Sequence, residues 1–277
     1  MIKELGLFYT NSKDSGGPGK VALNLTKGLK ALNVEVKENE VSKYNGCLQL
    51  VSNYIKLPQN TLMGPNLVVI PPECLDMWKR FEHYVVPSKW CIPVYRKYDI
   101  TKNANFYIWP SGIDTDFFNE RKNIQWDCLI YAKRTPRPVL ESIVNELKKL
   151  NLSFRIIFYG YYNTSEFLAA LQTSRFCIVA AKTESQGVAQ MEVMSTNTPC
   201  YILNKEVWDD YGPEHASPAS SAPYFSEECG ILSKDFLRFG EFLDNLNNYN
   251  PRSYILREHT LEKSAFKYLK ILETINQ

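Results

Sequence analysis

Short apolar runs alternate along the chain with stretches whose apolar residues recur every three or four positions. An apolar run at residues 5–9 predicts a strand, and the helical spacing of apolar residues at 21–32 predicts the helix that follows it. Further strands are predicted at residues 34–36, 47–51, 66–70, 83–86, 105–109, 127–132, 154–159, 176–180 and 200–203. Further helices are predicted at residues 138–150, 165–171, 188–195 and 261–275. Thr164 or Ser165 is the expected N-cap of the helix at 165–171. This alternation is typical of α/β proteins with parallel, doubly wound sheets.

The alternation restarts near residue 126, which predicts two domains. The length of 277 residues agrees with this, because a domain averages about 150 residues. We expect one α/β domain at residues 1–122, a second at residues 123–260, and a connecting segment around residues 114–125.

Composition and charge exclude several classes of protein. The net charge is +2, from 32 basic and 30 acidic residues without a basic stripe, so nucleic acid is not expected as a partner. The longest apolar runs fall short of the roughly 18 residues that a transmembrane helix needs, which leaves peripheral membrane contact open. The N-terminal segment lacks the apolar core of a signal peptide.

The seven cysteines are scattered and contain no CxxC pair, which argues against a zinc site and a disulfide framework. Reduced thiols are typical of the cytoplasm, which is the expected location. The three histidines show no paired spacing, so no metal site is predicted.

A glycine-rich loop at residues 14–20 follows the first predicted strand. Gly16, Gly17 and Lys20 there suit a diphosphate, because glycine lets backbone amides approach a phosphate and the next helix begins beside it. The Walker A pattern fails at both ends. The dinucleotide fingerprint is formally present from Gly17 to Ala22, but six residues separate the strand from the glycine run. A ligand loop and a simple connection remain alternatives.

Two glutamates eight positions apart flank the start of a predicted helix. Glu184 follows the strand at 176–180, Gly187 begins the helix, and Glu192 lies within it. Ligands of parallel sheets bind at the carboxyl ends of the strands, so two acids and free amides there suit the hydroxyl and phosphate groups of one elongated ligand. The alternative is a solvated Glu184 and a Glu192 on the helix surface.

These motifs occur together and in a particular order. They are GGPGK at 16–20, VPSKW at 86–90, WPSGID at 109–114, DCLIY at 127–131, and Glu184 with Glu192. In this combination the chain resembles the GT-B glycosyltransferases, in particular the retaining group around glycosyltransferase family 4. The resemblance implies two Rossmann-like, doubly wound domains that face each other across a cleft, with the final helix at 261–277 crossing back to the first.

The resemblance also implies roles for the motif residues. The second domain would bind the nucleotide sugar, and the first would bind the acceptor. Glu192 would bind the ribose and Glu184 the donor sugar at the reacting centre. The groups expected to contact the donor's sugar or diphosphate are Gly16, Gly17, Lys20, Lys133, Arg134, Arg137 and the backbone amides of Gln186, Gly187 and Val188.

The implied activity is transfer of a sugar from a UDP- or GDP-sugar to a glycan or another hydroxyl acceptor. It is expected to retain anomeric configuration and to need no metal or additional cofactor, with Glu184, Lys133 and Arg137 as catalytic residues. The sequence departs from the family by a short first domain and by lacking a cleft-facing histidine, whose region is occupied by residues 63–66. A non-catalytic GT-B-like binding module and an NAD-dependent oxidoreductase are the alternatives.

Overall fold

A computed structural model describes residues 2–10, 17–67 and 71–277. The chain divides into two compact units, Met1–Gly112 with His259–Gln277, and Ile113–Glu258. The limits expected from the sequence are residues 122 and 260, so the observed first unit ends earlier and residues 113–122 belong to the second.

The strands and helices alternate through both units. The strands are β1 (Glu4–Phe8), β2 (Glu35–Glu38), β3 (Asn45–Gln49), β4 (Leu62–Asn66), β5 (His83–Val86), β6 (Asn105–Ile108), β7 (Trp126–Lys133), β8 (Phe154–Phe158), β9 (Ser174–Ala181), β10 (Cys200–Leu203), β11 (Val207–Trp208), β12 (Ser217–Pro218) and β13 (Gly230–Ser233). The α-helices are α1 (Gly17–Ala31), α2 (Leu75–Arg80), α3 (Cys91–Arg96), α4 (Arg137–Lys149), α5 (Thr164–Gln172), α6 (Val188–Ser195), α7 (Phe239–Asp244), α8 (Pro251–Glu258) and α9 (Leu261–Ile275).

The first unit is built on a parallel sheet of six strands in the order β2-β1-β3-β4-β5-β6. One face carries an apolar cluster that includes Phe8, Cys47, Met63 and Tyr84. The ring of Trp78 in α2 stacks on that of Tyr84, with 4.3 Å between their centroids. Burial of these rings supplies much of the driving force for folding this unit.

The last helix, α9, packs against α1 in the first unit. A Cβ atom at Gly28 of α1 would lie only 2.3 Å from the carbonyl oxygen of Leu261. The Trp109 indole donates a hydrogen bond to the Ser264 carbonyl (2.9 Å), and the Ser264 hydroxyl donates to the Pro110 carbonyl (2.7 Å). The close approach of the two helices therefore requires glycine at position 28.

The second unit has a parallel sheet of five strands in the order β13-β10-β9-β7-β8, and β11 and β12 form a separate antiparallel pair. Its apolar cluster contains Phe176, Tyr201, Phe239 and Phe242. In each parallel sheet the order in which the chain adds strands reverses once. The reversal lies between β1 and β3 in the first sheet and between β7 and β9 in the second. A ligand crevice forms at such a reversal, outside the carboxyl ends of the strands.

The predicted α/β class with two Rossmann-like, doubly wound domains is confirmed. The helices at 188–195 and 261–275 and the strands at 83–86 and 200–203 have the predicted bounds. The prediction of a strand at 66–70 is wrong over the described residues, because β4 runs from Leu62 to Asn66 and ends where the predicted strand begins. Residues 68–70 lie outside the described part of the chain. No helix in the described part of the chain combines the length and the apolar character needed to cross a membrane.

The capping of α5 also differs from the prediction. Its N-cap is Asn163, whose Oδ1 accepts from the Glu166 amide, while Glu166 Oε2 accepts from the Asn163 amide, each at 2.9 Å. This reciprocal capping box satisfies two amides at once, which neither Thr164 nor Ser165 achieves here.

We expect Gly28→Ala to destabilise the protein although alanine favours helices, because the new methyl group must push α9 away from α1. Overpacking of this kind lowers the free energy of unfolding by about 1–3 kcal/mol. Urea unfolding measures the change.

Gly240→Ala in α7 is the matched control, since a Cβ atom there meets nothing within 4 Å. That variant is expected to gain about 0.5–1 kcal/mol from helix propensity. Equal effects of the two substitutions would contradict the tight α1–α9 contact.

Candidate functional site

The strand reversal of the second sheet brings two polar loops together. Lys133, the last residue of β7, is the register partner of Ala181, the last residue of β9. The loop after β9 carries Glu184, whose backbone amide donates to the Ser220 carbonyl at 2.9 Å. Parallel pairing of β7 and β9 therefore places Lys133 and Glu184 side by side, as the position of the crevice predicts.

Lys133 and Glu184 form a close ion pair. The Lys133 Nζ lies 2.7 Å from Oε1 and 2.9 Å from Oε2 of Glu184. Only 12% of the Glu184 side chain and 25% of the Lys133 side chain are exposed. The Lys133 ammonium also lies 4.6 Å from the centroid of the Tyr159 ring, which adds a cation–π contact. The pair is thus shielded from solvent on most sides.

Burial raises the pKa of the Glu184 carboxyl above its ordinary value. The positive charges of Lys133 and, more weakly, Arg134 act in the opposite direction but do not outweigh burial. Arg134 is exposed and has a φ of 53°, in the left-handed region that a turn directly after a strand can require. A ligand bearing negative charge near Lys133 would compete with Glu184 for the ammonium group.

Helix α6 supplies the other acid. Gly187 precedes it with a φ of 65°, a conformation that favours glycine. Glu192 is 1% exposed, and Gln186 and Val188 are each 9% exposed. The alternative interpretation, with a solvated Glu184 and Glu192 on the helix surface, is therefore wrong, because both side chains are largely buried. The first amides of a helix find no acceptor within it, so the start of α6 offers donors beside Glu184.

Two tyrosines link the acids. Burial raises the pKa of Tyr162 to about 12, and the carboxylates of Glu192 and Glu184 both act in the same direction. Burial also raises the pKa of Tyr131, and Tyr162 and the same two carboxylates act in the same direction. The ring centroids of Tyr131 and Tyr162 lie 6.3 Å apart. Both phenols therefore lie within electrostatic range of Glu184 and Glu192.

No role was expected for Tyr159, Tyr162 or Ser220. The signal for the two tyrosines is an aromatic run that begins at the carboxyl end of the strand predicted at 154–159 and continues to Tyr162. Ser220 has no such signal, because its contact with Glu184 depends on the path of the long loop between β12 and β13.

Other predicted site residues lie elsewhere. The Nε of Arg137, at the start of α4, is 2.7 Å from Glu141 Oε1, and its side chain is 89% exposed. Gly17 begins α1 in the first unit and Lys20 lies in its first turns, where Lys20 is half-buried. Gly16 lies outside the described residues. Among the described residues, no group of three or more His, Cys, Asp or Glu side chains is placed to hold a metal ion.

Comparison with solved structures finds glycosyltransferases. The chain is 11% identical to a sucrose-phosphate synthase from Thermosynechococcus elongatus, with a TM-score of 0.63 and 99% of each chain covered. It is 9% identical to the apo form of the lipopolysaccharide outer core galactosyltransferase WaaB, with a TM-score of 0.58 and coverage of 98% of this chain and 99% of that one. An alpha-glucosyltransferase in complex with UDP and a 13-mer DNA is 10% identical, with a TM-score of 0.58 over the whole of both chains.

These likenesses show that the chain has the fold of GT-B glycosyltransferases. No protein-family model matches the sequence, and a search of curated proteins finds no significant match. One neighbour is bound to DNA, so the expectation that nucleic acid is not a partner is not supported by the comparison.

The raised pKa of Glu184 predicts a pH dependence of stability. A carboxyl whose pKa is higher in the folded state stabilises the fold at low pH, and that contribution is lost as the pH rises through the folded-state pKa. Glu184→Gln cannot ionise, so its stability relative to wild type should improve as the pH rises from about 4 to about 8. Urea unfolding across this range measures the difference.

Glu228→Gln is the control of opposite sign. Arg257 lowers the pKa of Glu228, so that side chain stabilises the fold at high pH and loses this contribution as the pH falls. The stability of Glu228→Gln relative to wild type should therefore worsen as the pH rises. The same trend in both variants would contradict the assigned environments.

Proposed function

We propose that this protein is a glycosyltransferase that moves a sugar from a UDP- or GDP-sugar to a glycan or another hydroxyl acceptor. The proposal includes retention of configuration, independence from metal ions and a cytoplasmic location. The observation that carries it is the grouping of Lys133, Glu184, Glu192 and the start of α6 at the strand reversal of the second sheet.

In this proposal, Lys133 and Arg134 neutralise the diphosphate. Both stand at the carboxyl end of β7, and both act electrostatically on Glu184. Fixed positive groups stabilise the charge that develops on a leaving diphosphate as the glycosidic bond breaks. The amides of Gln186, Gly187 and Val188 would add donors at the start of α6. Arg137 contributes less, because its guanidinium already pairs with Glu141.

The two carboxylates bind hydroxyl groups of the donor. Glu192 lies within α6 and would accept hydrogen bonds from the ribose, while Glu184 would bind the transferred sugar close to the bond that breaks. Carboxylates accept such bonds strongly when they are shielded from water, as both are here. The second unit is therefore the proposed donor-binding domain.

The first unit is the proposed acceptor-side domain. Gly16 directly precedes α1 in the sequence, Gly17 begins this helix, and Lys20 lies in its first turns. The helix follows β1, beside which the first sheet reverses its strand order. In the proposal these three residues approach the donor's diphosphate. The sugar passes through an oxocarbenium-like state, and the acceptor oxygen forms the new bond on the face that the diphosphate leaves. The leaving phosphate oxygen takes the acceptor's proton, so no separate base is needed.

The solved neighbours support this proposal through their activities and bound ligands. They include a galactosyltransferase and alpha-glucosyltransferase complexes with UDP. TarM in complex with UDP and alpha-GlcNAc-glycerol is 14% identical, with a TM-score of 0.53, although this chain covers only 58% of it. The seven cysteines are free thiols, which agrees with the proposed cytoplasmic location.

Titration calorimetry with UDP and GDP tests the donor site. Lys133→Met and Glu192→Gln should each weaken binding of the preferred nucleotide by about 10- to 100-fold, since each removes a charge-assisted hydrogen bond. Arg137→Ala should weaken it less than Lys133→Met. Lys149→Met is the matched control, because Lys149 is exposed and pairs only with Glu146 among the ion pairs of α4 described here.

Glu184→Gln should keep nucleotide binding and lower the rate of sugar transfer or donor hydrolysis, measured with a panel of UDP- and GDP-sugars. Glu228→Gln should leave both unchanged. Wild-type protein that binds neither UDP nor GDP would contradict the proposal, and one that binds without any turnover would favour the non-catalytic alternative.

A further inference from the structure

Polar side chains replace the apolar core at the carboxyl edge of the first sheet. Gln49 ends β3 and lies on the same face as Cys47, two residues earlier, because side chains of a strand alternate between faces. Cys47 and its register partner Phe8 belong to the apolar cluster. The Thr10 hydroxyl, beyond the end of β1, donates a hydrogen bond to Gln49 Oε1, so the two side chains meet across the strand reversal.

Asn66, the last residue of β4, extends this polar row. It is the register partner of Gln49, because the register shifts along this pair: three steps on β4, from Met63 to Asn66, match two steps on β3. Without the shift, Pro65 would stand opposite Gln49 and offer no side-chain hydrogen bond. We name Thr10, Gln49 and Asn66 the amide row.

Each amide of the row holds a buried polar atom that no described residue satisfies. The Gln49 side chain is 9% exposed, and its buried Nε2 has no hydrogen-bond partner among the described residues. The buried Nδ2 of Asn66 has none there either. Rotating either amide by 180° exchanges its oxygen and nitrogen. For Gln49, whose one side-chain amide contact with a described residue is the Thr10 hydroxyl, an unsatisfied atom remains in both orientations.

Buried polar groups are nearly always paired in folded proteins, and an unpaired one destabilises the fold. Two such groups on neighbouring strands, with Gln49 at the reversal where parallel sheets bind ligands, therefore point to a bound ligand. A hydroxyl group is both donor and acceptor, so it satisfies an amide in either orientation. The row consists of one hydroxyl and two amides, none of which carries a charge, so it suits a neutral ligand.

We propose that Gln49 and Asn66 form a binding subsite for the hydroxyl groups of an uncharged sugar. This inference rests on the proposed function and deepens it, because it identifies the acceptor as a neutral sugar bound by side-chain amides of the first unit. A phosphorylated or carboxylated acceptor would instead require a cation in the row.

Gln49→Met and Asn66→Leu test the subsite, since each keeps the approximate shape and removes both polar atoms. The probes are the methyl glycosides of glucose, galactose and N-acetylglucosamine. Binding of each glycoside is measured by thermal shift, and transfer of sugar to it is characterised by its KM. We expect each substitution to weaken binding of the preferred glycoside by about five- to tenfold, which is the usual effect of losing a neutral hydrogen bond. UDP and GDP binding should not change, and the melting temperature without sugar should stay the same or rise.

Asn45→Ala is the control on the same strand. Asn45 is 2% exposed, but its amide donates to the Ser42 carbonyl (2.7 Å) and accepts from the Ser42 amide (2.9 Å). This satisfied amide is structural, so its loss should lower the melting temperature and leave sugar affinity unchanged. If Gln49→Met lowers the melting temperature as Asn45→Ala does, the amide row is structural and the inference is wrong.

The thermal-shift measurement separates this inference from the proposed function. The proposed subsite is wrong if wild-type protein binds no methyl glycoside, or if the variants bind it as well as wild type does. Bound water would then be its only occupant. Glycoside binding that depends on Gln49, in a protein that binds neither UDP nor GDP, would support the subsite and contradict the proposed function.

Discussion

The reversal of strand order in each parallel sheet is the constraint on which the candidate site depends. At the reversal, the chain leaves two neighbouring strands in opposite directions, so the loops after those strands separate and expose the edge between them. In the second unit this edge lies between β7 and β9 and brings Lys133 beside Glu184. In the first unit it lies between β1 and β3 and brings Thr10 beside Gln49.

The apolar cores hold these edges in place. The strands β7 and β9 are buried along most of their length, and their side chains pack with the aromatic rings of Phe239 and Phe242. Toward the carboxyl ends, charged side chains begin only at Lys133, the last residue of β7, and beyond Ala181, the last residue of β9. A charged pair such as Lys133 and Glu184 is disfavoured by burial, and it persists because the rigid strands fix both loops. The same burial that keeps the pair shielded also makes it responsive to an anionic ligand.

Much of the fold follows from local patterns, and the failures have identifiable causes. Strands such as Cys200–Leu203 are uninterrupted apolar runs, so their alternation with helices predicts them well. The strand β4 contains Gly64 and Pro65, which favour turns, and it forms because β3 and β5 pair with it on both sides. The short helices α2 and α3 are too brief for periodicity to reveal, and their packing against the sheet stabilises them.

For the site, residue order alone predicts that Glu184 and Glu192 flank the start of a helix at the end of a parallel strand, since that spacing is local. Sequence cannot show that Glu192 is buried, that Glu184 pairs with Lys133 51 positions away, or that Arg137 turns to Glu141 instead. Nor does it reveal the amide row, whose members are far apart in the chain and meet through strand pairing and one register shift. Spacing along a helix or strand is encoded locally, whereas burial and pairing depend on which strands become neighbours in the sheet.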